Sequence, residues 1–298
     1  MNYTNSELNE QVEIFYQRLT QNKTPTREPW AILTGGQPGS GKSSIEKRVN
    51  YISSNFVFLN TDEFRDSHPR YEDIKKEYGS DHPKHTAQWA GAITEALIER
   101  LAKEKYNLLI EGTLRTTEVP EQTAHRLRTN GYKVDLYVMA VKPEVSFTGT
   151  ITRFFQGLQN DNNGRAVDKK HHDLVVSRLQ ENLVYLAKKK CFDEIVVCTR
   201  AGELTRSQNN PDEITAAINH EWSRPLTEKE AQDLRRQQAF VYQMLKAEQQ
   251  KEVSKINEAT IAEMRSFLEK QMGQHASIHI NKPQGRGLER GLERGLER

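Results

Sequence analysis

The stretch GGQPGSGKSS, residues 35–44, constrains this chain more than any other. Gly36, four intervening residues and then Gly41-Lys42-Ser43 satisfy the phosphate-loop pattern. The apolar run AILTG precedes it and SSIEKRV follows, so the strand, loop and helix that the pattern requires are all predicted. Glycines let backbone amides wrap a triphosphate, and a helix N-terminus adds positive potential. Gly36, Gln37, Pro38, Gly39, Ser40, Gly41, Lys42, Ser43 and Ser44 are therefore read as the ATP-binding loop, with Lys42 reaching the outer phosphates and Ser43 ligating Mg2+.

Around this loop, five short apolar runs rich in β-branched or aromatic residues recur: WAILTG, NFVFLN, YNLLIEG, KVDLYVMAV and DEIVVCT. Stretches of helical periodicity, such as AGAITEALIERLAKEKY and HHDLVVSRLQENLVYLAKKK, separate them. Near-continuous apolar strands alternating with helices predict an α/β fold, P-loop kinase-like, with a mainly parallel central sheet covered on both faces. Ligands bind such sheets at the carboxyl ends of the strands. Leu8, Val12, Phe15 and Leu19 add a short amphipathic N-terminal helix. The segment TRAGELTRSQNNPDE reads as a loop.

The organisation predicted is a kinase domain over 1–225, a helical extension over 226–272 and a disordered repeat tail over 273–298. Leu234, Val241, Leu245, Val253, Ile256, Met264 and Phe267 mark the apolar face of the extension. The tail ends in GRGLERGLERGLER, a repeat with no apolar face wide enough to bury. Lys and Arg number 43 against 41 acids, a net charge of +2, which gives no global footprint of a nucleic-acid binder. Two cysteines, Cys191 and Cys198, suit a reducing compartment. With no signal peptide and no run of roughly 18 apolar residues, the chain is read as cytoplasmic, with no membrane partner.

A phosphate loop identifies the donor and leaves the reaction open. The Asn-Lys-x-Asp motif of guanine readers is broken at Asn281-Lys282 by the following proline, and NLLIEG ends in Glu111 where motor ATPases carry Asp. A small-molecule kinase needs a carboxylate at a neighbouring strand end to take a proton from the acceptor hydroxyl. Asp62 lies 20 residues after Lys42, just past the second apolar run, and is the leading base candidate. It could also cap the helix that TDEF starts. Glu111, Thr113 and Arg115 alternate onto one side of an extended segment, where they can hold a polyhydroxylated or phosphorylated acceptor. Arg153 and Arg165 are candidates to stabilise charge on the transferring phosphoryl group. His171-His172 lacks a suitably spaced carboxylate or cysteine and reads as packing or surface histidine.

Five segments, GGQPGSGKSS, NTDEFRDSHP, NLLIEGTLRTTEVP, YVMAVKPEVSFTGTITRF and GRAVDKKHHD, resemble in order and spacing the zeta toxin family, the kinase half of epsilon/zeta toxin-antitoxin systems. The resemblance covers roughly residues 1–200. It implies ATP-dependent phosphorylation of UDP-N-acetylglucosamine at its 3′-hydroxyl, a toxin that blocks cell-wall precursors, and a small helical antitoxin over the nucleotide site. In that comparison Lys42 matches the phosphate-loop lysine, Asp62 the catalytic base, and Glu95 an acceptor-site acid. Glu111, Thr113 and Arg115 match the sugar-nucleotide site, and Arg153 and Arg165 the phosphate-binding arginines. Two departures stand out: Ala166-Val167-Asp168 follows the second arginine in place of Ala-Thr-Pro, and residues after about 225 have no matched counterpart. Outside the family, the same residues suit a kinase for another small hydroxyl acceptor, or a nucleotide-regulated binding protein.

Overall fold

The computed structural model describes residues 3–160, 164, 166–250 and 256–280. The strands are β1 (Trp30–Gly35), β2 (Phe56–Leu59), β3 (Asn107–Ile110), β4 (Lys133–Met139), β5 (Glu194–Cys198) and β6 (Glu203–Ser207). Helices α1 (Asn5–Thr20), α2 (Ser43–Ile52), α3 (Tyr71–Tyr78), α4 (His82–His85), α5 (Ala87–Lys103) and α6 (Glu118–Thr129) precede α7 (Pro143–Asn160) and α8 (Lys169–Lys188). The C-terminal third adds α9 (Pro211–Ser223), α10 (Glu228–Gln249) and α11 (Glu258–Ile280).

The strands form one sheet in the order β2-β3-β1-β4-β5-β6, parallel except for β6. β1 sits between β3 and β4, so the connections leave it in opposite directions, and the phosphate loop follows β1 at this switch point. The four central apolar runs are buried almost throughout because helices cover both faces. On one face Trp89, Leu97 and Leu101 of α5 pack with Leu183 of α8 and Ile218 of α9; on the other, Ile45 and Val49 of α2 pack with Leu234 of α10.

β6 replaces part of the loop expected over TRAGELTRSQNNPDE. It is an edge strand, antiparallel to β5, and all but Ser207 are exposed or half-buried. With neighbours on one side only and little apolar surface to bury, it carries none of the pattern that reveals a strand.

The C-terminal helices build a third cluster. Val241 and Leu245 of α10 and Met264, Phe267 and Leu268 of α11 close over Phe147, Ile151, Phe154 and Phe155 of α7. α10 starts at a capping box in which Thr227 and Glu230 exchange hydrogen bonds. Val253 and residues 281–298, including the repeat, lie outside the described residues, while α11 runs on past residue 272 to Ile280.

Candidate active site

Gly36 and Gly39 adopt φ of +127° and +74°. A Cβ at Gly39 would stand 2.1 Å from the Ser146 carbonyl oxygen, and one at Gly36 would stand 2.9 Å from that of Met139. The loop is thus pressed onto α7 and the end of β4, and only glycine fits there. Gln37 Nε2 donates to the Val141 carbonyl and, at 3.3 Å, to Ser146 Oγ. Ser146 Oγ is in turn 2.9 Å from His172 Nε2. Burial lowers the pKa of His172, favouring a neutral ring in this buried chain of hydrogen bonds beneath the loop. From outside, Arg200 Nη2 donates to the Gly39 carbonyl at 2.8 Å and its Nε to that of Ser40 at 3.3 Å. Ser44 turns away, its hydroxyl 3.7 Å from Met139 Sδ.

Two cavities meet at the loop. One, of about 550 Å³, runs over Gly41, Lys42 and Ser43 and is bounded by Thr152, Arg200 and Gln237. The other, of about 600 Å³, is lined by Pro38, Asp62, Arg65, Thr113, Arg115 and His171 among others. Gly39, Lys42, Glu111 and Arg153 line both. Lys42 Nζ lies 3.7 Å from Glu111 Oε1 and donates to the Gly36 carbonyl at 3.2 Å. Burial lowers the ammonium's pKa; Glu111 opposes that shift and Arg153 reinforces it.

The acceptor wall begins where β2 ends. Asn60 caps the following 3₁₀ turn, Thr61–Ser67, its Oδ1 accepting from the Asp62 amide at 3.1 Å. The capping role considered for Asp62 therefore belongs to Asn60, and the Asp62 carboxylate lines the second cavity. Arg65 Nε donates to Asp62 Oδ1 at 2.7 Å while its Nη1 donates to the Pro83 carbonyl at 2.6 Å. Glu111 is positioned by its backbone amide, which donates to the Leu59 carbonyl at 2.9 Å. Asn182 of α8 donates to the Leu114 and Arg115 carbonyls at 2.8 and 3.1 Å, holding the turn that carries Thr113 and Arg115. Burial and the nearby Arg115 push the His171 pKa down, against Asp168, which raises it.

Lys42, Asp62, Glu111, Thr113, Arg115 and Arg153 thus surround one space. Glu95 stands apart on the exposed side of α5: Arg126 Nη2 donates to its carboxylate at 2.8 Å, and it lines neither cavity. Arg165 lies outside the described residues. Arg65, His171, Arg200 and Gln237 were not singled out from sequence as site residues, yet all four line the paired cavities.

The cradle fits a nucleoside triphosphate, with Ser40 Oγ buried in it without a hydrogen-bond partner. Among the described residues no group of three or more His, Cys, Asp or Glu can hold a metal.

A family model described as Zeta toxin matches residues 16–211. The chain belongs to the zeta toxin family. Among zeta toxins, Toxin PezT of Streptococcus pneumoniae is 39% identical over 200 residues, 66% of this chain and 79% of that protein. Toxin zeta of Streptococcus pyogenes is 38% identical over 204 residues, 68% of this chain and 71% of that one. A chain from the structure of the PezAT chromosomal toxin-antitoxin system of S. pneumoniae superposes with a TM-score of 0.73 at 30% identity, covering 81% of this chain and 98% of that one. A chain of the AvrRxo1-ORF1:-ORF2 complex with ATP, 12% identical, shares the fold, with a TM-score of 0.51 over 89% of this chain and 84% of its own. This zeta toxin family member is a kinase-type P-loop phosphotransferase. Among its described residues no helix is long and apolar enough to cross a membrane.

Proposed function

We propose that the chain transfers the γ-phosphoryl group of ATP to the 3′-hydroxyl of UDP-N-acetylglucosamine, acting as a toxin. The observation that carries this reading is the shared wall: Lys42, Glu111 and Arg153 border both a phosphate-loop cavity and a cavity containing Asp62. A phosphoryl group passing between two substrates needs cations at such a boundary and a carboxylate on the acceptor side.

The phosphate loop binds the triphosphate through backbone amides, and Lys42 exchanges Glu111 for a phosphate oxygen. Ser43 would hold magnesium, which would supply neutralisation of the phosphate charge. Asp62, held by Arg65, accepts the proton of the attacking hydroxyl. Arg153, on the boundary, stabilises charge on the transferring group, and Arg165 is assigned the same task from sequence.

The acceptor cavity has the chemistry of a sugar nucleotide. Arg115 and Lys84 suit its diphosphate, while Thr113 and Glu111 offer partners for sugar hydroxyls. A phosphate at the 3′-position would block the hydroxyl that wall-precursor synthesis uses. PezT belongs by name to a toxin-antitoxin system, and the same arrangement is proposed here: a small helical antitoxin that occludes the nucleotide cavity in the cytoplasm.

The test is incubation with magnesium, ATP and a panel of UDP-sugars, nucleoside monophosphates, plain sugars and hydroxyl-bearing antibiotics, with products read by mass spectrometry. Phosphorylation of UDP-N-acetylglucosamine supports the reading, and transfer confined to acceptors without a UDP-sugar overturns it.

A further inference from the structure

Asp173, His172 and Ser146 stand in line behind the phosphate loop. His172 Nδ1 lies 3.1 Å from Asp173 Oδ1, and Nε2 lies 2.9 Å from Ser146 Oγ. That is the order of a nucleophilic triad, but Ser146 is fully buried and lines neither of the paired cavities. No substrate reaches its hydroxyl, so the three groups act on the protein itself.

The direction of the chain follows from what each atom can do. A carboxylate only accepts, so the hydrogen of the neutral ring sits on Nδ1, facing Asp173. Nε2 is then an acceptor and takes the hydroxyl hydrogen of Ser146. That leaves the lone pairs of Oγ for Gln37 Nε2, which donates to it at 3.3 Å and also to the Val141 carbonyl. Gln37 is fully buried and its Oε1 has no hydrogen-bond partner, so these two bonds orient its amide. Without Nε2 the Ser146 hydrogen would turn to the Pro143 carbonyl, 3.0 Å away, and swing the lone pairs off Gln37.

The ring cannot follow a moving loop. His172 is buried against Phe147, with 5.1 Å between ring centroids, and Phe147 meets Phe267 of α11 edge-on at 4.7 Å. Lys169 pairs with Asp173 Oδ2, which leaves Oδ1 to the ring. Ser146 also touches the loop through its backbone, since its carbonyl oxygen is the atom that a Cβ at Gly39 would strike.

We propose that His172 is a positioning residue for the donor: acting through Ser146 Oγ, it fixes Gln37 and holds the phosphate loop in shape to receive a triphosphate. It touches no substrate itself. This inference rests on the kinase reading above in taking the ligand of the loop to be a nucleoside triphosphate.

The test uses the full-length protein. NMR of nitrogen-labelled histidine should find the hydrogen of His172 on Nδ1, and a neutral ring with its hydrogen on Nε2 overturns the proposal. Calorimetry then compares magnesium-ATP with magnesium-tripolyphosphate, which reports on the loop without the base. His172→Phe, which keeps the ring, should weaken both ligands by about fivefold, the worth of one hydrogen bond. His172→Gln, whose amide oxygen reaches the Nε2 position, should recover most of that loss. Ser146→Ala should weaken both ligands similarly, and adding His172→Phe to it should cost less than about twofold more, because groups acting in series are not additive. Unchanged affinity in His172→Phe, no recovery with glutamine, or additive losses in the double variant each overturn the proposal. Wild-type protein that binds neither ligand sinks the kinase reading and this inference together, whereas equal binding by wild type and His172→Phe sinks the inference alone.

Discussion

Arg65 Nε stands 2.7 Å from Asp62 Oδ1, with the guanidinium side chain 16% exposed and the carboxylate side chain 57% exposed. The arginine is anchored inside by the Pro83 carbonyl, so it aims the acid at the acceptor cavity from behind. Asp62→Ala should lower kcat by about 10²- to 10⁴-fold, the usual contribution of a general base, and leave ATP affinity within twofold. Arg65→Ala should lower kcat by about tenfold or more through misplacement of the base, again sparing ATP. Stopped-flow transfer rates and calorimetric ATP titrations check both.

Lys42 serves function at a cost to folding. Burial lowers its pKa below the ordinary lysine range, so the unfolded chain holds the proton more tightly than the folded one. Stability conferred by losing this proton therefore rises as pH climbs from the lowered folded value to the ordinary one. Holding that proton in the folded state opposes folding, so Lys42→Met should raise the melting temperature while it abolishes transfer and weakens ATP. A lowered melting temperature at pH 7 contradicts this sign.

The turn into α10 should be sensitive to acid. Hydrogen bonds from Arg224 first, then from Thr227, hold the Glu230 pKa down at about 2. The stabilisation is present above the ordinary carboxylate pKa and is lost as pH falls toward 2. The full shift corresponds to roughly 3 kcal/mol, which screening of a carboxylate about one-third exposed reduces to about 1 kcal/mol. Glu230→Gln should therefore cost about 1 kcal/mol at pH 7 and progressively less below pH 4, as urea denaturation at several pH values would show.

The contact of α7 with the C-terminal helices should dominate local stability. Phe155 is fully buried in that cluster, and Phe155→Ala should cost about 3–5 kcal/mol. Because α7 also carries Arg153, the same change should slow transfer in whatever fraction remains folded. Equilibrium unfolding and activity per folded molecule separate the two effects.

What was legible from sequence follows from locality. The five apolar strands announce themselves because a parallel sheet buried on both faces leaves little room for polar positions, Asp135 of β4 being a buried exception partnered by Trp30 and Lys133. β6 does not, because its polar residues pair on one side only. The phosphate loop is consecutive and therefore visible, as are Asp62 and Glu111 at strand ends. Glu95 shows the opposite limit: a motif fixes separation along the chain, but the rotation of α5 and the pull of Arg126 decide which way the carboxylate faces. Arg200 and Gln237 come from elements with no shared pattern and meet only because α10 packs along α7.

The central claim is tested most directly by supplying ATP labelled in its γ-phosphoryl group to wild-type protein and Asp62→Ala, with UDP-N-acetylglucosamine as acceptor, and locating the label by NMR. The account predicts one labelled phosphate on the 3′-oxygen with wild-type protein, and none with the variant although it still binds ATP. Label absent from the sugar nucleotide, or transferred equally well without the Asp62 carboxylate, would contradict it.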